Sequence, residues 1–143
     1  MYQVQPVRSR ELQQKLAEQL ECRFVPDTYA MYAGELGEDY STVTELIGMC
    51  QFTFGPGESE IKSLAAAPGH EEDEAVTVLV RAVMSLVNNA EIPLVTVTGD
   101  VIPEDRIKKL GFRRSPDTPG KWFIELEKFY MSPCSYTDAS GKQ

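Results

Sequence analysis

Ile61-Lys62-Ser63-Leu64-Ala65-Ala66-Ala67-Pro68-Gly69-His70-Glu71-Glu72-Asp73-Glu74-Ala75-Val76 runs from an extended apolar segment, through a turn, into a strongly helical one. Many α/β proteins hold a phosphate at such a strand-turn-helix junction, because free backbone N–H groups and the helix dipole favour an anion there. Here four acidic residues of the chain, Glu71 to Glu74, occupy that position. The junction has the shape of a nucleotide-type site with the opposite charge.

The helix that leaves the junction is predicted over residues 71–89. Val76, Leu79, Val80, Val83 and Val87 form one apolar stripe, and Ala75, Val78, Ala82 and Leu86 an adjacent one. Only Thr77, Arg81, Ser85 and Asn88 form a polar line, so the helix is expected to pack centrally across a sheet. Upstream, Gly55-Pro56-Gly57 is a turn signal between strand-like runs at 42–54 and 60–66, which predicts an antiparallel hairpin.

Nearer the amino terminus, residues 2–7 alternate as a first strand. Ser9 can cap a helix whose Leu12, Leu16 and Leu20 share a face, and Pro26 closes that segment. Residues 28–33 alternate as a second strand, and 35–39 read as a turn. Downstream, 94–98 reads as a short buried strand. Pro103 then suits a helix start, Glu104 and Asp105 its positive end, Lys108 and Lys109 its negative end, and Gly111 its left-handed stop. Residues 112–114 and 121–126 read as closing strands, 127–134 as an extension open to either helix or strand, and 135–143 as a flexible polar tail. The order β-α-β-β-β-α-β-α-β-β predicts a mixed sheet with helices on its faces.

The length of 143 residues suits one compact domain. A net charge of -8 disfavours nonspecific nucleic-acid binding and anionic membranes, although Lys108, Lys109, Arg113 and Arg114 cluster locally. No apolar run approaches the ~20 residues of a membrane span, and the first ten residues lack a signal-peptide pattern, so the expected location is cytoplasmic. Cys22, Cys50 and Cys134 are too few and too scattered for a disulfide framework or a zinc cage, and no metal site is expected. Cys134, in the predicted tail, is the thiol most open to oxidation.

The element order, with Ile107-Lys108-Lys109-Leu110-Gly111-Phe112 after the second late helix, resembles the GNAT superfamily of acetyl-CoA-dependent N-acetyltransferases. Those proteins commonly carry a Tyr-x-x-x-Gly-Phe phrase there. The resemblance spans about residues 2–126 and is strongest over 44–113. Glu45-Leu46-Ile47-Gly48 matches the third-strand phrase, and residues 61–68 match the fourth strand running toward the cofactor loop. The implied fold class is α/β (α+β), a GNAT-like mixed and mostly antiparallel central sheet with helices on both faces. Residues 1–134 are expected to form the single domain.

Three departures bear on activity. The family's cofactor loop reads Arg/Gln-x-x-Gly-x-Gly/Ala, and counted from Pro68 those positions hold Glu71, Glu74 and Val76. Small residues there let the backbone approach a pyrophosphate. Two unit charges about 5 Å apart repel by roughly 3 kcal/mol at an effective dielectric of about 20, so carboxylates facing a pyrophosphate would remove much of the affinity. Secondly, the family's proton-donating tyrosine falls on Ile107. Thirdly, only residues 22–27 remain where the family usually has a second early helix.

The resemblance leaves two functions open. One is a divergent or degenerate GNAT that has lost standard acetyl-CoA binding and acts as a binding or regulatory module, a pseudoenzyme with no cofactor. The alternative is an atypical acyl-CoA-dependent N-acetyltransferase acting on an amine. In that case acetyl-CoA is the cofactor, Glu60 or His70 the general base, and the backbone of Leu64, Ala65 and Ala66 the holder of the pantetheine arm and thioester carbonyl. Glu58 lies in the same base-bearing region. Structural roles compete with each of these: strand end for Glu58 and Glu60, turn residue for His70, helix-dipole stabilisation of ~0.3–1 kcal/mol each for the acidic run. Carboxylates within one helical turn diverge, which disfavours a divalent cation. Trp122, Phe123, Phe129 and Tyr130 read as core or dimer contacts. The expected partner is a small molecule or protein in the inter-strand cleft, with no nucleic acid and no membrane, and with a homodimer as one assembly.

Overall fold

The computed structural model describes residues 3–36, 43–70 and 74–131. Seven strands form one sheet in the order β1-β2-β3-β4-β5-β7-β6. The elements are β1 (Gln3–Pro6), α1 (Arg10–Gln19), β2 (Tyr29–Leu36), β3 (Val43–Phe52), β4 (Glu58–Ala66), α2 (Glu74–Asn89), β5 (Leu94–Thr98), α3 (Glu104–Leu110), β6 (Arg113–Arg114), β7 (Lys121–Glu125) and α4 (Leu126–Met131). The strand pairs β1/β2, β2/β3, β5/β7 and β6/β7 are antiparallel, and β4/β5 is parallel. A parallel pair needs a crossover, and α2 supplies it.

Two compact units share this chain. The first holds 1–53 and 62–83, and the second 54–61 and 84–143. In the first, Ser9 caps α1 as expected, its Oγ accepting the Leu12 N–H at 3.1 Å. The buried face of α1 differs from the Leu12/Leu16/Leu20 stripe: Gln13, Leu16, Ala17 and Leu20 are buried, while Leu12 is only partly so. In that i, i+3, i+4, i+7 set, Leu16, Ala17 and Leu20 pack with Ala30, Tyr32 and Met49 of the sheet, and Gln13 bonds Gln51. Tyr32 is registered with Met49 and Ala30 with Gln51, which places all four on the α1 face. Gly48, one residue from Met49, faces the other way and lies against Leu79 of α2. Helices therefore cover both faces of the first unit, α1 on one and α2 on the other.

Strand β2 continues to Leu36 where a turn was expected from 35, and its pairing with β3 is bulged at Ala33/Gly34 and Glu35/Leu36. The bulges let the strand keep pairing through glycine and charged residues of low strand propensity. Helix α2 buries Ala75, Val76, Leu79, Val80, Val83, Met84 and Val87. Val78, assigned above to an apolar stripe, is 38% exposed. The expected turn at 37–39, the acidic residues Glu71, Glu72 and Asp73, Cys134 and the tail at 135–143 lie outside the described residues.

In the second unit, Val95 opposes Ile124 and Val97 opposes Trp122, and all four are buried on one sheet face. Helix α3 starts after Pro103 and stops where Gly111 adopts φ 103°. The Gly111 and Phe112 N–H groups close the helix end onto the Lys108 and Ile107 carbonyls at 3.0 and 3.3 Å. The open segment after β7 is helical as far as Met131, where the described residues end: Leu126 and Phe129 of α4 are buried, three residues apart on one helical face.

Cys50, fully buried on β3, has its thiol pushed up to about 12 by burial. It is therefore neutral at pH 8 in the folded chain, and alkylation there, mapped by peptide mass, is expected only after denaturation. Because the folded value exceeds the ordinary 9.0, its contribution to stability is full below pH 9 and is lost as pH rises from 9 toward 12. Labelling of Cys50 at the rate of a free thiol would contradict this burial.

Candidate functional site

At the end of β4, Leu64, Ala65 and Ala66 are half-buried. The chain stays tied to β3 beyond the strand, the Ala67 N–H donating to the Ile47 carbonyl at 2.7 Å. The Ala65 carbonyl oxygen lies against Gly48, whose added Cβ would sit 2.7 Å from it. A glycine is required for that approach, since real Cβ atoms do not come so close to a carbonyl oxygen. Pro68 and Gly69 (φ 87°) then turn the chain, and the His70 N–H bonds the Ala67 carbonyl at 2.9 Å.

His70 Nε2 lies 3.5 Å from Glu45 Oε2, with the imidazole less exposed than the carboxylate. The turn residue and the third-strand glutamate thus form an ion pair when the histidine is protonated. Glu74 opens α2 and is exposed, whereas Val76 is 2% exposed. The enlargement from glycine or alanine to valine is absorbed by the core, and the change that reaches solvent is the carboxylate of Glu74. Glu71 lies outside the described residues.

In the second unit, Glu58 Oε2 accepts from Thr96 Oγ1 at 3.2 Å and lies 3.5 Å from Lys121 Nζ. Glu60, half-buried, pairs with Thr96 in the β4/β5 ladder, which covers Glu58–Glu60 with Leu94–Thr96. Of the two candidate bases, Glu60 belongs to the second unit and His70 to the first. Ile107, at the position of the resembled family's tyrosine, is fully buried. Lys108, Lys109, Arg113 and Arg114 are all exposed, with Arg114 3.7 Å from Glu104 and its guanidinium 5.0 Å from the centre of the Trp122 ring.

Sequence reading missed a buried polar cluster in the first unit. Gln51 Oε1 accepts from Gln13 Nε2 at 2.8 Å and from the Val25 N–H at 2.9 Å, and Gln51 Nε2 donates to the Arg23 carbonyl at 2.9 Å. Gln13 Nε2 also donates to Thr28 Oγ1 at 3.0 Å, and that hydroxyl donates to the Val25 carbonyl at 2.7 Å. These bonds hold the non-helical segment between α1 and β2. The available signal was Gln13 at the head of the Leu16, Ala17, Leu20 spacing.

No family model and no curated protein matches the sequence. Among solved structures, the KacTA–DNA complex aligns with a TM-score of 0.66 at 15% identity, over 92% of this chain and 99% of that one. An acetyltransferase of the GNAT family from Staphylococcus aureus aligns with a TM-score of 0.62 at 12% identity, over 88% and 99% of the two chains. A Bacillus anthracis structure in complex with acetyl coenzyme A aligns with a TM-score of 0.55 at 11% identity, over 71% of this chain and 64% of that one. One of these neighbours is a DNA complex, so the fold by itself does not exclude nucleic acid. No helix among the described residues is long and apolar enough to cross a membrane. Sheet order, the parallel β4/β5 pair and the structural neighbours agree that this chain has the GNAT acetyltransferase fold.

Proposed function

We propose that this chain is a GNAT-fold binding or regulatory module that has given up standard acetyl-CoA binding. The observation that carries this reading is Glu74, an exposed carboxylate in the first turn of α2. The resembled family puts a glycine there and brings the pyrophosphate to the helix amino terminus. A carboxylate occupies the positive end of the dipole and repels a second anion, so the residues present do not fit a CoA pyrophosphate in the family's manner. Buried Ile107 supports the same reading, having no proton to give a departing thiolate.

The second reading is an acyl-CoA-dependent N-acetyltransferase acting on an amine, with Glu60 as base. Its support is the half-buried Glu60 in the short parallel ladder, together with a structural neighbour that holds acetyl coenzyme A.

Titration with acetyl-CoA and with CoA separates the two. Under the first reading neither raises the melting temperature at about 1 mM. A cofactor site with micromolar affinity would raise it by about 8–16 °C at that concentration, by mass action on the folded state. Such a rise, confirmed by calorimetry, would overturn the module reading. Glu74→Gly is expected to increase whatever affinity for CoA exists.

A further inference from the structure

A second place in the first unit has the makings of a binding site, at the other end of β2 from His70. Glu45 is registered with Glu35 near the end of β2, whereas Tyr29 begins that strand. Around this beginning lies a pocket of about 430 Å³ whose lining includes Arg8, Arg10, Gln13, Asp27, Thr28 and Tyr29. Its size falls within the range of ordinary small-molecule sites.

Gln13 is the informative wall. It is 4% exposed, and its Nε2 spends both hydrogens inside the protein, on Gln51 Oε1 and Thr28 Oγ1. The amide cannot be turned round. Thr28 gives its own proton to the Val25 carbonyl, and Gln51 Oε1 already accepts from the Val25 N–H, so both partners meet Gln13 as acceptors. Gln13 Oε1 is left without a partner among the described residues. It is not among the sealed orphan atoms either, which are Ser59 Oγ and Trp122 Nε1. A nearly buried side chain that lines the pocket thus keeps one unused acceptor.

The other walls supply charge of both signs. Arg8 and Arg10 flank Ser9, the cap of a ten-residue helix whose first N–H groups favour an anion. Glu11, exposed in the same first turn, offsets part of that field. Asp27 holds φ 61° and adds a carboxylate to the lining. A purely anionic ligand would meet Asp27 and leave Gln13 Oε1 unpaired. A purely cationic one would meet the two guanidiniums.

The geometry points to a site for a small zwitterion, a free amino acid or dipeptide. Its carboxylate lies toward Arg8, Arg10 and the α1 terminus, and its ammonium donates to Gln13 Oε1 and Asp27. This site owes nothing to CoA chemistry and goes beyond the function proposed above.

The probes are the twenty free amino acids and their glycyl dipeptides at about 10 mM, read first by thermal shift and then by calorimetry. At least one is expected to bind saturably, and to bind more weakly once its amine is acetylated. Arg10→Ala and Asp27→Asn should each weaken it by about tenfold or more, the loss of one charge-assisted bond. Asp27→Asn should also erase most of the preference for the free amine. Both positions are exposed, and asparagine tolerates a left-handed φ, so these variants retain the fold. Glu45→Gln, at the far end of β2, should leave binding unchanged. No saturable binding across the panel would overturn the proposal, as would binding indifferent to both pocket substitutions. So would inorganic phosphate binding as tightly as the best zwitterion.

Discussion

Gln51→Met is expected to destabilise the protein by about 2–4 kcal/mol, although it preserves side-chain volume. The native amide is fully buried and makes three bonds, to Gln13 Nε2, the Val25 N–H and the Arg23 carbonyl. Methionine satisfies none of them. A buried donor or acceptor left without a partner costs about 1–3 kcal/mol. The Arg23 and Val25 groups lie nearer the surface and can recover part of this from water, which keeps the total below a simple threefold sum. Gln13→Met removes two bonds of the same network, so the double variant should cost clearly less than the sum of the singles. Urea denaturation followed by far-ultraviolet circular dichroism measures all three. A loss under about 0.5 kcal/mol for Gln51→Met, or strict additivity, would show that these bonds contribute no coupled stability.

How much of this fold could be read from the chain depends on the range of the interactions involved. Helix α2 was legible because its burial repeats with the helical period, and α3 because Pro103, its acidic and basic ends and Gly111 are local signals. The strand β5 was legible for the same reason, as a short apolar run. The face of α1 was misassigned toward Leu12 because leucine outranks glutamine in any apolar count. Gln13 is buried only because Gln51, thirty-eight residues later, and Thr28 come to meet it. Helix α4 was open because it covers one turn and a half, too short to show a period.

The candidate site divides in the same way. The ordinal match of Glu71, Glu74 and Val76 to a cofactor loop could be counted along the chain. Which of them projects outward could not, because that depends on the rotation of α2 against the sheet. Val76 turns inward and Glu74 outward, so the objection to a pyrophosphate rests on charge at one described position rather than on bulk at two. His70 reads in the sequence as the single histidine of the chain, set in a turn. Its carboxylate neighbour Glu45 comes from β3, and strand pairing had to be known before that pair could be seen.

Gly48→Ala is expected to cost about 2–3 kcal/mol, and it tests how tightly the end of β4 is held. The new Cβ would lie 2.7 Å from the Ala65 carbonyl oxygen, 3.6 Å from Ala66 Cα and 3.7 Å from Leu79 Cδ2. The closest of these is main chain and cannot turn aside as a flexible side chain would. Overpacking that moves backbone costs about 1–3 kcal/mol, and this contact lies within a sheet also tied by the 2.7 Å Ala67–Ile47 bond. The strain has to appear as displacement of Ala65 and Ala66 or as a weakened bond at Ala67. Gly111→Ala, by contrast, strains only the left-handed stop of α3 and should cost about 1–2 kcal/mol. Amide hydrogen exchange distinguishes the two: Gly48→Ala should speed exchange at Ala67, and Gly111→Ala at Phe112. If Gly48→Ala changes stability by less than about 0.5 kcal/mol and leaves Ala67 protected, β3 and β4 have room to separate. The glycine would then not be what sets the position of the residues leading into the junction.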